Sequence, residues 1–247
     1  MINFSGSSES KQQATSCKPQ DSSNKPQAPS LTNLNKGLYK IIESEEVMKI
    51  KEAKEITGGL TYTTKMPGPS FNTPAQRCVT GSKLRNIKNS VCNGCYALKG
   101  NYARFPKVGE ALERRFQKLQ APSWVPAMVI LISKHKYFRW HDAGDIQTLD
   151  HLKRIFEVCK LTPETKHWMP TREASILQQV KPEDVPENLI IRMSSHMIDQ
   201  GPVKFWPWTS TVVTAGPTCP APKQENQCKS CRACWNRDIA NVAYGKH

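Results

Sequence analysis

YFRWHDAGD, residues 137–145, opens with a short aromatic run suited to a strand and ends in small and polar residues. Two later stretches have the same build, HWMPTR at 167–172 and LIIRMSSH at 189–196. Each apolar run gives way to groups that carry chemistry: His141, Asp142, Gly144 and Asp145, then Thr171 and Arg172, then Ser194, Ser195 and His196. Helical spacing fills the gaps. Over Thr148–Cys159, Leu149, Leu152, Ile155, Phe156 and Cys159 share one side, and Glu173–Val180 predicts a second helix. Strand and helix alternating in this way indicate an α/β fold with parallel strands. Ligands bind at the C-terminal ends of such strands, so the three polar endings are expected to converge on one mouth. The plainer alternative, that Asp145 or Thr171 caps a following helix, stays open at each position.

Working outward, Val108–Leu119 is helix-like, with Leu112, Arg115, Phe116 and Leu119 spaced at three and four. Trp124–Ser133 (WVPAMVILIS) reads as a buried helix, with a strand as the alternative. Leu60–Thr64 is a candidate first strand and Val212–Thr214 a candidate last one, which makes five countable strands. Residues 1–35 are rich in Ser, Gln, Asn, Lys and Pro and are expected to be a disordered tail, because they offer too little apolar surface to offset chain entropy. Residues 36–57 read as a surface helix and linker, 58–215 as an α/β metal-binding core, and 216–247 as a cysteine-rich C-terminal cluster segment.

The chain carries a net charge of +14 and nine cysteines. Residues 57–247 hold 27 basic and 14 acidic residues, a charge of +13, which points to a polyanionic partner such as nucleic acid or else to a basic surface with no specific ligand. No run of eighteen apolar residues occurs, and the polar N-terminus has no secretory signal core, so no membrane association and a cytoplasmic location are expected. In that reducing setting clustered cysteines serve metals more often than disulfides, and an odd count fits ligands plus strays.

Two groups stand out. Cys219, Cys228, Cys231 and Cys234 lie within sixteen residues, three of them at every third position. A structural zinc usually takes two CxxC pairs joined by a longer loop, whereas the CxxCxxC run resembles the spacing that serves iron–sulfur clusters. Cys78, Cys92 and Cys95 form a second group in a glycine-bearing loop. Three thiolates on a four-iron cluster leave one iron open, and His135 or His141 as a fourth ligand would give a closed zinc site instead. Two clusters of the 4Fe-4S type are expected, with zinc as the alternative. Cys159 reads as a small core residue and Cys17 as incidental.

The stretches KMPGPSF (65–71), SVCNGCYALKGNY (90–102), FRWHDAGDIQ (138–147), MPTRE (169–173) and CKSCRACW (228–235) resemble the phage-encoded gene product 88 domain family over about 58–247. More distantly, the layout is similar to radical S-adenosylmethionine enzymes, which follow the first strand of a partial (β/α) barrel with a cluster-binding cysteine loop. The Cys78–Cys92 spacing is thirteen residues where those enzymes have three. The resemblance implies a partial-barrel parallel sheet with Cys78, Cys92 and Cys95 on a redox cluster. It also implies that Asp142, Gly144 and Asp145 hold S-adenosylmethionine, that His141, Arg172, Ser194 and His196 face a substrate, and that an unidentified electron donor reduces the cluster. The last four cysteines then correspond to an auxiliary cluster, and the place of action is the host cytoplasm. The rival reading is a non-catalytic zinc or iron–sulfur protein that binds nucleic acid or another partner. In it Lys99, Arg104, Lys107, Arg114 and Arg115 face phosphates, and Tyr96, Tyr102 and Phe105 stack on bases.

Overall fold

The computed structural model describes residues 48–246. The expected disordered tail over 1–35 lies outside them, as does the part of the expected 36–57 helix before residue 48. Six strands form one sheet: β1 (Ser70–Phe71), β2 (Tyr137–Trp140), β3 (Lys166–Thr171), β4 (Leu189–Ser194), β5 (Thr209–Val213) and β6 (Asn241–Gly245). Their spatial order is their order in the chain, every pairing is parallel, and β1 and β6 are the open edges.

Alternation along the strands sorts two faces. Phe138 and Trp140 of β2, Met169 of β3 and Leu189, Ile191 and Met193 of β4 enter one apolar core. It is covered by α5 (Trp124–Ile132) and α6 (Leu149–Leu161), which bring Trp124, Met128, Leu152 and Ile155. Burying each large side chain contributes about 1.5–3 kcal/mol. The run at 124–133 is therefore a helix, apolar nearly all round because α1 (Ile50–Thr57) packs Ala53 on its far side against Ala127 and Leu131. Thr148 caps α6 by accepting from the His151 amide at 3.1 Å. Ahead of these come α2 (Val79–Leu84), α3 (Gly100–Arg104) and α4 (Pro106–Gln117), and α7 (Ala174–Leu177) is a single turn.

The other face is covered by the connection between β5 and β6, where Cys234 and Trp235 pack with Trp168, Ile190 and Val242. The 216–247 segment thus runs through the sheet's second core and supplies its last strand. Fully buried Arg192 holds it: Nε donates to the Cys234 carbonyl (3.1 Å), Nη2 to Ala233 (2.8 Å) and Asn236 (2.9 Å), and Nη1 to Ile239 (3.0 Å) and Thr209 (3.2 Å). The Trp235 indole donates to the Phe138 carbonyl at 3.0 Å.

Two strand expectations need correction. Leu60–Thr64 forms no strand; Thr61 makes one antiparallel bridge to Ser70, and the first strand is β1. The Pro67-Gly68-Pro69 backbone runs hard against β2, where a Cβ on Gly68 would lie 1.9 Å from the Tyr137 carbonyl oxygen, and its prolines cannot donate to a ladder. At the other end, the strand is β5, which starts three residues before the expected Val212–Thr214 and stops before Thr214, and β6 was not anticipated.

His141, His151 and His167 are buried in or beside the larger core, and burial lowers the pKa of each, to about 3 for His151 and His167. The unfolded chain therefore binds more protons below the ordinary histidine pKa of about 6.5, and stability falls as pH drops, by up to about 1.4 kcal/mol per pH unit for each histidine. Asp145, raised to about 6, acts in the opposite sense over part of this range, one group against three. Urea midpoints are expected to fall steeply between neutral pH and pH ~5. A flat profile would show that these rings are not buried neutral.

Candidate functional site

The first cysteine group sits on the C-terminal ends of the strands. Cys78 precedes α2, and Glu173, just past β3, fixes that helix. The Glu173 carboxylate accepts from the Thr80 amide (2.9 Å) and the Thr80 hydroxyl (2.7 Å), across 93 residues of chain. The segment before Cys92 is tied to the end of β4: the Val91 amide donates to the His196 carbonyl, the Ile198 amide donates to the Asn89 carbonyl, both at 2.9 Å, and Ser90 bridges Met197. Gly81 leaves the space between the thiols open; a Cβ there would lie 3.7 Å from the Cys92 sulfur and 3.8 Å from that of Cys78. Cys95 follows Gly94, whose φ of +81° turns the chain back.

His141-Asp142-Ala143-Gly144-Asp145 forms the wall beside this loop. Asp142 takes an ion pair from Arg139 (2.8 Å) and a hydrogen bond from the Tyr102 hydroxyl (2.8 Å), while its carbonyl accepts from the Tyr96 hydroxyl. Gly144 cannot be replaced without displacement: its φ is +82°, and a Cβ would lie 2.0 Å from the Thr73 hydroxyl oxygen. Asp145 is saturated by the Thr171 hydroxyl (2.7 Å) and the amides of Ile146 (2.8 Å) and Arg172 (2.9 Å). Burial raises its pKa to about 6 against the pull of those donors. It binds the end of β2 to the end of β3.

The other expected site residues divide. Arg172 lies beside Cys92, and among the described residues its guanidinium makes no hydrogen bond or ion pair; its charge opposes the rise that burial imposes on the Cys92 thiol. The His196 ring meets the Arg172 carbonyl at 3.2 Å and so stands at the same mouth. Ser194 lies deeper on the Arg192 side of the sheet, bonded to the Ser210 hydroxyl at 2.8 Å. His141 is displaced from the expected place: its φ of +59° turns it toward α6, and its ring lies 5.4 Å from that of His151 within the core. Among the phosphate-facing candidates, Arg115 is buried and donates to the Gly59 carbonyl at 2.8 Å, whereas Lys99, Arg104, Lys107 and Arg114 are exposed.

Cys219, Cys228, Cys231 and Cys234 gather under the other face of the sheet. The Cys219 amide donates to Ala243 in β6 (3.0 Å), the Cys228 amide to Lys65 (2.9 Å) and the Cys231 amide to Cys228 (2.8 Å). The Cys234 sulfur meets the Tyr244 hydroxyl at 3.1 Å, and burial pushes its thiol up to about 11. Arg139 pairs with Asp142, its guanidinium lies 4.4 Å from the centre of the Trp168 ring, and its charge is felt by Cys234 and Tyr244. All the described cysteines are free thiols. Burial also raises the Cys78 and Cys92 pKa, and Asp145 and Glu173 add to the rise at Cys78. Among the described residues no three His, Cys, Asp or Glu close to the distances of a single metal ion. Seven thiols in two groups are donors that could hold a soft metal or a cluster, with Asp145 and Glu173 beside Cys78 and Arg172 beside Cys92.

Sequence reasoning gave no role to Glu173, Arg139 or Arg192. Arginines inside the strands YFRW and LIIRM were the available signal, since a charge in a buried strand needs partners.

The family model of Gene product 88 matches the sequence over residues 46–237. The chain belongs to that family. No curated protein and no solved structure gives a significant match. Among the described residues no helix is long and apolar enough to cross a membrane.

Glu173→Ala strips two part-buried donors of a buried acceptor and should cost about 2 kcal/mol, the low end of the ~1–3 kcal/mol for each orphaned group. Amide exchange at Thr80 should accelerate in step, read by hydrogen–deuterium exchange. Unchanged exchange at Thr80 would dismiss the clamp.

Proposed function

We propose that this protein is an iron–sulfur enzyme of the radical S-adenosylmethionine type, with a catalytic 4Fe-4S cluster on Cys78, Cys92 and Cys95 and a second cluster on Cys219, Cys228, Cys231 and Cys234. The observation that carries the reading is positional: a three-cysteine loop lies over the C-terminal ends of an in-order parallel sheet, against the acidic segment that ends its second strand. An in-order, all-parallel sheet is the strand arrangement from which a partial (β/α) barrel curls, here with α5 and α6 on one face and the β5–β6 connection on the other. A cluster requires thiolates that face a common space, each with its own iron, and not thiolates that reach one point.

When bound and reduced by a host electron donor, the cluster would supply one electron to the sulfonium of S-adenosylmethionine. The chain's own residues bind and orient. Asp142 keeps an open edge, its side chain 18% exposed with two donors, whereas Asp145 is saturated and buried; Asp142 is thus assigned the ammonium group and Asp145 the positioning of Arg172. Arg172 and His196 face a substrate at the mouth, and Ser194 lines the sheet below them. His141 belongs to the core and is given no part. The place of action is the host cytoplasm. The rival, a non-catalytic zinc or iron–sulfur binding module, draws on the same exposed basic residues and differs in having no cofactor chemistry.

The dithionite-reduced protein should bind S-adenosylmethionine and release 5′-deoxyadenosine, measured by liquid chromatography under nitrogen. Cys92→Ala should abolish release. Asp142→Asn should weaken cofactor binding about tenfold, the ~1.4 kcal/mol scale of one charge-assisted bond, with iron content unchanged. An iron-loaded protein that neither binds nor cleaves the cofactor would favour the binding module.

A further inference from the structure

A groove of about 460 Å³ opens beside the first cysteine loop, between that loop and α4. Arg77 and Glu113 pair across it at 2.8 Å, Tyr102 and Leu112 line it, and Gly109 opens its floor, because a Cβ there would meet nothing within 4 Å. Next to it stand two large exposed aromatics, Tyr96 at 52% and Phe105 at 49%, with Lys99, Arg104 and Lys107 between and beside them. The Arg104 guanidinium lies 5.8 Å from the centre of the Phe105 ring. From Ile56 to Gly109 the chain contains no Asp or Glu.

We infer that this surface binds single-stranded nucleic acid, with one base in the groove and the backbone along Lys99, Arg104 and Lys107. Exposed aromatic rings among cations, on a stretch of unmixed positive charge, match a strand whose bases stack while its phosphates pair. The groove has the size of a small-molecule site. Its Arg77–Glu113 pair presents a donor and an acceptor side by side, the combination a base edge displays, between the apolar walls of Tyr102 and Leu112. A duplex offers neither unstacked bases for Phe105 and Tyr96 nor a free base for the groove. Tyr102 also donates to Asp142, so the base would lie one side chain from the cysteine site. As a substrate assignment the inference rests on the enzyme reading; as a binding site it stands on the groove and the ridge alone.

The test is fluorescence anisotropy on the full chain purified without oxygen, using oligothymidylate and oligouridylate of about 12 nucleotides, an abasic strand and a duplex of equal length. Gly109→Leu fills the groove from a helical position with room for a side chain, and Phe105→Ala removes one stacking ring. Neither residue bonds the cysteine loop. A base-bearing strand of at least one sugar type should bind about tenfold tighter than the abasic strand. Gly109→Leu and Phe105→Ala should each shrink that preference while leaving abasic binding in place, and the two together should erase it. Equal affinity for base-bearing and abasic strands, a preference undiminished by Gly109→Leu, or tighter binding of duplex would overturn the inference. Iron is assayed on the same samples. Binding without iron would remove the enzyme reading and leave the inference, whereas iron-loaded protein that binds no oligonucleotide would do the reverse.

Discussion

Arg192 sits in the middle of β4 with none of its surface exposed and, among the described residues, no ion pair. Burying an unpaired charge costs several kcal/mol unless its protons are all engaged. Here the guanidinium is met by main-chain carbonyls of Thr209, Ala233, Cys234, Asn236 and Ile239. That arrangement solves two problems at once, because the β5–β6 connection is irregular and its buried carbonyls need donors as much as Arg192 needs acceptors. It also fixes the turn that carries Cys234 and Trp235 under the sheet, and through Ile239 it delivers the chain to β6. Without the arginine, several buried carbonyls would be orphaned together.

The second consequence concerns charge. Thiolates in a protein interior need cations, and arginines stand near both groups: Arg192 and Arg139 of the sheet beside Cys234, and Arg172 and Arg85 from outside it beside Cys92. The carboxylates nearest the first group, Asp145 and Glu173, are both engaged in clamping loops, Asp145 to the end of β3 and Glu173 to α2. Buried, protonated thiols of raised pKa are inert as nucleophiles, and a metal is what converts such thiols into ligands.

The fold class was legible because YFRW, HWMP and LIIRM are short apolar runs separated by helices whose apolar positions recur at three and four. The thiols of both cysteine groups were legible from spacing alone. β6 was not, because NVAYG has neither length nor clean alternation and becomes a strand only when Arg192 and the β5 ladder receive it. β1 was misplaced because the local pattern of Leu60–Thr64 is more strand-like than Ser70–Phe71, and the deciding factor is the close approach of Gly68 to β2. At the site, Asp142 and Asp145 were singled out by position, but their unequal saturation depends on Tyr102 and Thr171, which are distant in sequence, as well as on neighbouring Arg139. His141 was drawn in by its neighbours in the chain, and a positive φ turned it away. Glu173 acts on a residue 93 positions earlier, a relation that no local pattern carries.

The central claim is that two groups of thiols each hold an iron–sulfur cluster. Iron and acid-labile sulfide, counted per chain in protein purified without oxygen, test it most directly when wild type is set beside Cys95→Ala and Cys231→Ala. Two four-iron clusters would give about eight irons and eight sulfides in wild type, and each substitution should remove about half, since each cluster is ligated by its own cysteines. Stoichiometric zinc with no sulfide, or iron that is indifferent to both substitutions, would contradict the account.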